Sequence, residues 1–153
     1  MSFSRHSRIV AALALAGIAG PLLAAPADQV RIRVAGLREL GAAFKTVNDG
    51  LRSPTPQTIL IQMSARQIRN AATAMPGWFP AGSGPQPGVK TAAKPEIWTN
   101  AAHFRQLQDN FIAQAAAFQT AANGGNVGAI RVAARNLGQT CKACHQEFRN
   151  ETR

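Results

Sequence analysis

Apolar residues recur at steps of three and four along most of this chain, the spacing of a helix with one buried face. Val30, Val34, Leu37, Gly41 and Phe44 trace the first such face. Ile61, Ala65, Ile68, Ala72 and Met75 trace the second, with Met63 nearby. Between them "NDGLRSPTP" places the helix breakers Gly50, Pro54 and Pro56. The second helix should stop before Pro76, which has no N–H to donate. A third face reads Phe104, Leu107, Phe111, Ala115, Phe118 and Ala122. Its helix is expected from about Pro95, with Glu96 at the positive end of the dipole. After the turn "NGGN", Asn126 suits an N-cap. The last stripe is the cleanest: Val127, Ile130, Ala134, Leu137, Cys141, Cys144 and Phe148. Strand signals are nearly missing and tyrosine is absent. The pattern predicts an all-α chain, an antiparallel up-down-up-down four-helix bundle.

Two stretches fall outside that pattern. "PGWFPAGSGPQPGVKTAAKP" is the longest irregular segment, and a loop of that length needs anchors, for which Trp78 and Phe79 are suited. The opening "MSFSRHSRIVAALALAGIAGPLLAAPADQV" has Arg5 and Arg8, an apolar run from Ile9 to Leu23, then small residues. That is the layout of a secretory signal peptide. A spanning helix needs ~20 apolar residues, and Gly17, Gly20 and Pro21 interrupt this run. Residues 1–25 are therefore expected to be a signal, cleaved at about residues 24–27, and 28–153 the bundle. The mature protein is expected to be exported to the periplasm. No other segment is long and apolar enough to span a bilayer.

Charge changes the picture less than it first suggests. The chain has 17 Lys and Arg against 7 Asp and Glu, and two of the basic residues leave with the signal, so about +8 remains. The basic residues are dispersed, and no aromatic residues interleave with them, which argues against nucleic acid. Acidic protein partners or anionic cofactor groups fit better. The seven acidic residues stand singly, with no catalytic triad, carboxylate pair or phosphate loop, which points away from an enzyme.

The cysteines carry the chemistry. Cys141 and Cys144 are the only two, and His145 follows directly. A disulfide between them would close too short a loop to stabilise much. C-x-x-C-H is the attachment signature of c-type haem. At ~100° per residue, positions i, i+3 and i+4 share one narrow helix face. Both sulfurs can then form thioethers while the imidazole turns to the iron. Rival readings fare worse. A thioredoxin-like pair would want a βαβ unit, and a zinc site a fourth ligand, for which His103 is the only other mature histidine. Core packing accounts for the cysteines but not for the adjacent histidine.

A C-x-x-C-H motif at the end of a four-helix chain resembles the cytochrome c′ family, the class II c-type cytochromes. "VRIRVAGLRELGAAF" is similar to the family's first helix and "AMPGWFPAGSG" to its loop after the second. "AKPEIW" resembles the entry to its third helix and "CKACHQEFR" its haem helix. The resemblance implies one covalent haem c on Cys141 and Cys144, with His145 as axial iron ligand. It implies Arg33 beside a propionate and Arg149 on the side of the axial histidine, although a solvated helix-end cation is an equal reading of Arg149. Leu37 falls where low-spin relatives carry a ligating Met. Leucine cannot donate to iron, so a five-coordinate, high-spin haem is expected. Met63 or Met75 as a second ligand is the low-spin alternative. The resemblance further implies binding of NO, and more weakly CO, together with electron transfer. With no distal hydrogen-bond donor evident in the sequence, O₂ should bind poorly. Homodimers through the first two helices are common in the family, and Ala35 and Ala43 are small enough to sit in such a contact.

Overall fold

A computed structural model describes residues 25–151; the expected signal lies outside them but for its last residue. The chain forms α1 (Pro26–Arg52), α2 (Thr58–Ala74), a 3₁₀ turn (Met75–Trp78), α3 (Glu96–Thr99), α4 (Ala101–Asn123) and α5 (Val127–Phe148). Among the described residues no helix is long and apolar enough to cross a membrane. Four of the helices make the antiparallel bundle, in which α1 packs on α2, α2 on α4 and α4 on α5. The α1–α5 seam is the slightest of the contacts that close the ring.

Local chemistry sets the boundaries. Pro26 opens α1 at a position where its missing N–H costs nothing. α2 gives way to the 3₁₀ turn at Met75, one residue before Pro76. The Asn126 side chain accepts a hydrogen bond from the Ala129 N–H at 2.9 Å, capping α5. Gly125, with φ of 71°, takes the left-handed conformation that ends α4. The third long helix begins later than the sequence suggests. Pro95 precedes a single turn, α3, and the chain breaks at Asn100 (φ −118°, ψ 48°) before α4 starts.

The core follows the predicted stripes closely on three helices. Ile61, Ala65, Ile68 and Ala72 of α2 are buried, as are Phe111, Ala115, Phe118 and Ala122 of α4 and Ile130, Ala134 and Leu137 of α5. On α1 the stripe is displaced. Val30 is buried, but the buried line continues through Arg33, Ala43, Val47 and Leu51, while Gly41 is exposed and Val34 and Phe44 are half-buried. The reason is that the first half of α1 faces a cavity rather than a neighbouring helix. Ala43 belongs to the core, so of the two small residues only Ala35 lies on the outer surface.

The irregular loop is held by the aromatic residues the sequence singled out. Trp78 lies so close to α1 that a Cβ at Gly36 would sit 2.6–2.9 Å from its indole. Phe79 stacks edge-on against Phe104 (4.9 Å), which in turn meets Phe148 (5.1 Å). Gly36→Val should therefore destabilise the protein by about 1–2 kcal/mol. Overpacking costs ~1–3 kcal/mol, and the helix-propensity gain is only a few tenths. Gly41→Ala, where nothing lies within 4 Å, should instead stabilise by ~0.5–1 kcal/mol. Urea titrations of both variants check the pair, and equal effects would refute the close contact at Gly36.

Candidate haem site

The slight α1–α5 seam has a cause: a mostly apolar cavity open to one side lies there. α5 contributes Thr140, Cys141, Cys144 and His145, Arg149 follows at its C-cap, and α1 contributes Arg33 and Leu37. All six residues singled out in the sequence thus line one space. Helical spacing accounts for the three on α5, and bundle topology brings α1 opposite. The remaining wall is mostly apolar, with Phe79, Ile97, Phe104, Leu107 and Phe111.

Burial pushes the Cys141 thiol up, despite hydrogen bonding that works the other way. The Cys144 thiol is pushed up to about 11, first by burial, then by the charges of Cys141 and Glu147. Redox-active cysteine pairs have depressed values, so these thiols have the opposite character. A zinc site fares no better, because His103 Nε2 turns to Glu147 Oε2 at 2.8 Å instead of toward the thiols. Among the described residues no cluster of three or more His, Cys, Asp or Glu suits a metal ion. His145 stands at the cavity rim with its outer side exposed. Burial, then the nearby Arg149 cation, lowers its pKa, which favours the neutral imidazole that binds metals.

Arg33 is the most informative group. It is 1% exposed, yet it lines the cavity. Its Nη1 donates to the Ser83 carbonyl (3.0 Å), the Ser83 Oγ (3.3 Å) and the Trp78 carbonyl (3.4 Å). The guanidinium lies over the rings of Phe79 (5.1 Å) and Trp98 (5.3 Å). Nε and Nη2 are buried, and among the described residues they find no acceptor and no carboxylate pairs with the charge. Burial accordingly lowers its pKa. A buried cation with two unpartnered donors at the edge of a cavity suits an anionic group there. An apolar slot with two thiols, an imidazole and an unpaired guanidinium fits a haem: ring, attachment points, iron ligand and propionate partner are all provided for.

Arg149 is held by more than its own helix. The Lys94 N–H donates to the Phe148 carbonyl (3.0 Å) and the Asn150 N–H to the Ala92 carbonyl (2.8 Å). These bonds flank an antiparallel bridge between Ala93 and Arg149. Lys94 Nζ also caps the free carbonyls of Glu147 (3.1 Å) and Gln146 (3.4 Å). Residues 91–93 thereby become part of the cavity wall.

Three outcomes differ from the sequence reading. Met63 is 60% exposed on the outer face of α2 and lines no part of the cavity, so it is withdrawn as a candidate ligand. Met75 does line it, at 9% exposure. Gln108 was missed altogether: it is 4% exposed, lines the cavity, and its Nε2 has no acceptor. The signal for it was a polar residue on the apolar stripe, one turn after Phe104. Ser83, the buried partner of Arg33, had no signal in the sequence.

Known proteins share this fold. A sequence model of the family described as Cytochrome C′ matches residues 28–149. Cytochrome c′ of Rhodopseudomonas palustris is 31% identical over 152 residues, covering 93% of this chain and 95% of that protein. Among solved structures, a nitric oxide complex of a leucine-to-alanine mutant of cytochrome c prime from Alcaligenes xylosoxidans has a TM-score of 0.76 at 25% identity, covering 85% of this chain and 99% of that one. A carbon monoxide-bound leucine-to-glycine variant of the same protein has a TM-score of 0.75 at 26% identity, covering 84% and 98%. The chain belongs to the cytochrome c′ family and is a haem c protein.

Proposed function

We propose that this is a periplasmic cytochrome that binds NO, and more weakly CO, at a five-coordinate haem and exchanges single electrons with acidic redox partners. The observation that carries it is one cavity lined by Cys141, Cys144, His145, Arg33 and Leu37. Cys141 and Cys144 would hold the group by thioethers, and His145 would supply a nitrogen to its iron. Arg33 neutralises a propionate with donors that are otherwise buried and idle. Arg149, fixed by the bridge to Ala93, keeps a positive charge beside His145 and disfavours its protonation. When bound, haem supplies a one-electron iron centre and a coordination position for small neutral gases. Leu37 offers no donor atom and keeps water-like ligands out of an apolar wall. These roles need no acid–base machinery, so the protein is read as a carrier and gas binder and not as an enzyme. The excess of basic residues steers acidic partners, an effect that weakens with salt. A groove between α1 and α2, lined by Gly36, Ala42, Ala71 and Ala74, lets a second copy approach closely as a homodimer.

Absorption spectra of both oxidation states test the reading. A high-spin, five-coordinate spectrum is expected, with a new band when the ferrous protein is titrated with NO. No spectral change with NO would sink the proposal. The competing low-spin carrier rests on Met75, the one methionine that lines the cavity. It would show a six-coordinate spectrum that Met75→Leu converts to high spin.

A further inference from the structure

The basic residues that look dispersed along the chain line up in space on α5. Arg131, Arg135 and Lys142 are all exposed. Their spacings of four and seven residues put them within about 40° of one another around the helix axis, over ~17 Å of its length. Gly138 shares that flank, and a Cβ there would lie 3.4 Å from the Phe44 ring of α1, so the line follows the α1–α5 seam that holds the cavity. Lys142 stands one turn before His145, and exposed Arg149 carries the positive charge on to the cavity rim. Among the described residues none of these four cations forms an ion pair. The one carboxylate of α5, Glu147, turns to His103 of α4 instead. Arg131 and Arg135 stand at i and i+4, where like charges repel, so the arrangement gives the fold nothing.

We infer that this flank of α5 is the docking face for the acidic surface of a redox protein, which it holds beside the rim of the haem cavity. The inference rests on the haem reading above and adds where the partner sits. One electron passes between the two proteins, and no bond is made or broken. Cations along one line face a row of carboxylates in register, and their summed field speeds encounter. A lipid surface is the other anionic candidate, but a helix that lies on a membrane needs large apolar side chains beside its cations. Val132 is the only exposed large apolar residue of α5.

The test is charge reversal in the haem-loaded protein, Arg135→Glu with Lys142→Glu, compared with Arg66→Glu with Arg69→Glu on α2. The two pairs change the net charge equally, and α2 lies diagonally across the bundle from α5. None of the four residues lines the cavity. At low salt the α5 pair should weaken the calorimetric affinity for polyglutamate about tenfold, and the α2 pair by less than about twofold. The α5 pair should also slow oxidation of the ferrous protein by ferricyanide, an anion, and speed oxidation by tris(phenanthroline)cobalt(III), a cation. A shifted potential or a damaged fold would move both rates the same way. Equal losses in the two double variants, with haem attached, assign the effect to net charge and overturn the docking face alone. Binding to phosphatidylglycerol vesicles but not to polyglutamate overturns it in favour of a membrane surface. Wild-type protein without covalent haem overturns this inference and the functional reading together.

Discussion

Cys141→Ser and Cys144→Ser together should turn a haem that survives acid-acetone extraction into one that the extraction removes completely. The two sulfurs lie half-buried on one face of α5, in the wall of the same cavity as His145. Serine is close in size, and on a helix its hydroxyl can bond back to the i−4 carbonyl, so the bundle should still form. What changes is the kind of binding. A covalently held group stabilises the fold at any dilution, whereas a dissociable one does so only by mass action. The double variant should therefore also show a melting temperature that rises with added haem. Retention of haem by the extracted double variant would refute the attachment assignment. Its haem-free form is also the reagent for the next experiment.

Arg33→Met should have very different consequences in the two forms. In the haem-loaded protein, with Arg33 paired to a propionate as proposed, it would remove one member of a buried ion pair, a change that typically costs ~3–5 kcal/mol. In the haem-free double-serine chain the same cation is buried with Nε and Nη2 unpartnered, so removing it relieves a burden. Methionine fills an irregular apolar slot well, and the charged hydrogen bonds lost to Ser83 and Trp78, ~1.5–3 kcal/mol each, are offset by release of the buried unpaired charge. The haem-free variant should thus lie within ~1 kcal/mol of its parent. Denaturant titrations of the four proteins decide the matter. An equal loss in both forms would mean that Arg33 serves only to tether the loop at residues 78–83, with no anion in the cavity.

How much of this was legible in the sequence differs by element. The attachment motif was, because helical geometry converts its spacing directly into a shared face. The α5 stripe and the Asn126 cap were legible for the same reason, as each depends only on near neighbours in the chain. α1 was not, because its apolar positions serve two surfaces. Leu37 lines the cavity while Ala43 and Val47 enter the core. The break at Asn100 carries no proline or glycine to announce it. Met63 and Met75 looked equivalent by type, but twelve residues on a helix separate them by about 120° around the axis. One faces solvent and the other the cavity. Gln108 and Ser83 depend on partners about fifty residues away or on a group outside the chain, and periodicity encodes neither.

The raised thiol values at Cys141 and Cys144 bear on the order of biogenesis. Thiols react as thiolates, and folding makes these two harder to ionise by burying them. The finished bundle is therefore a poor substrate for its own maturation. Thioether formation at these thiols should therefore be faster in the open chain than after α5 docks on α4, which the rate of haem attachment to unfolded and prefolded chain would check. Docking then shuts the reacted sulfurs away, and the bridge between Ala93 and Arg149 fastens the end of the helix behind them.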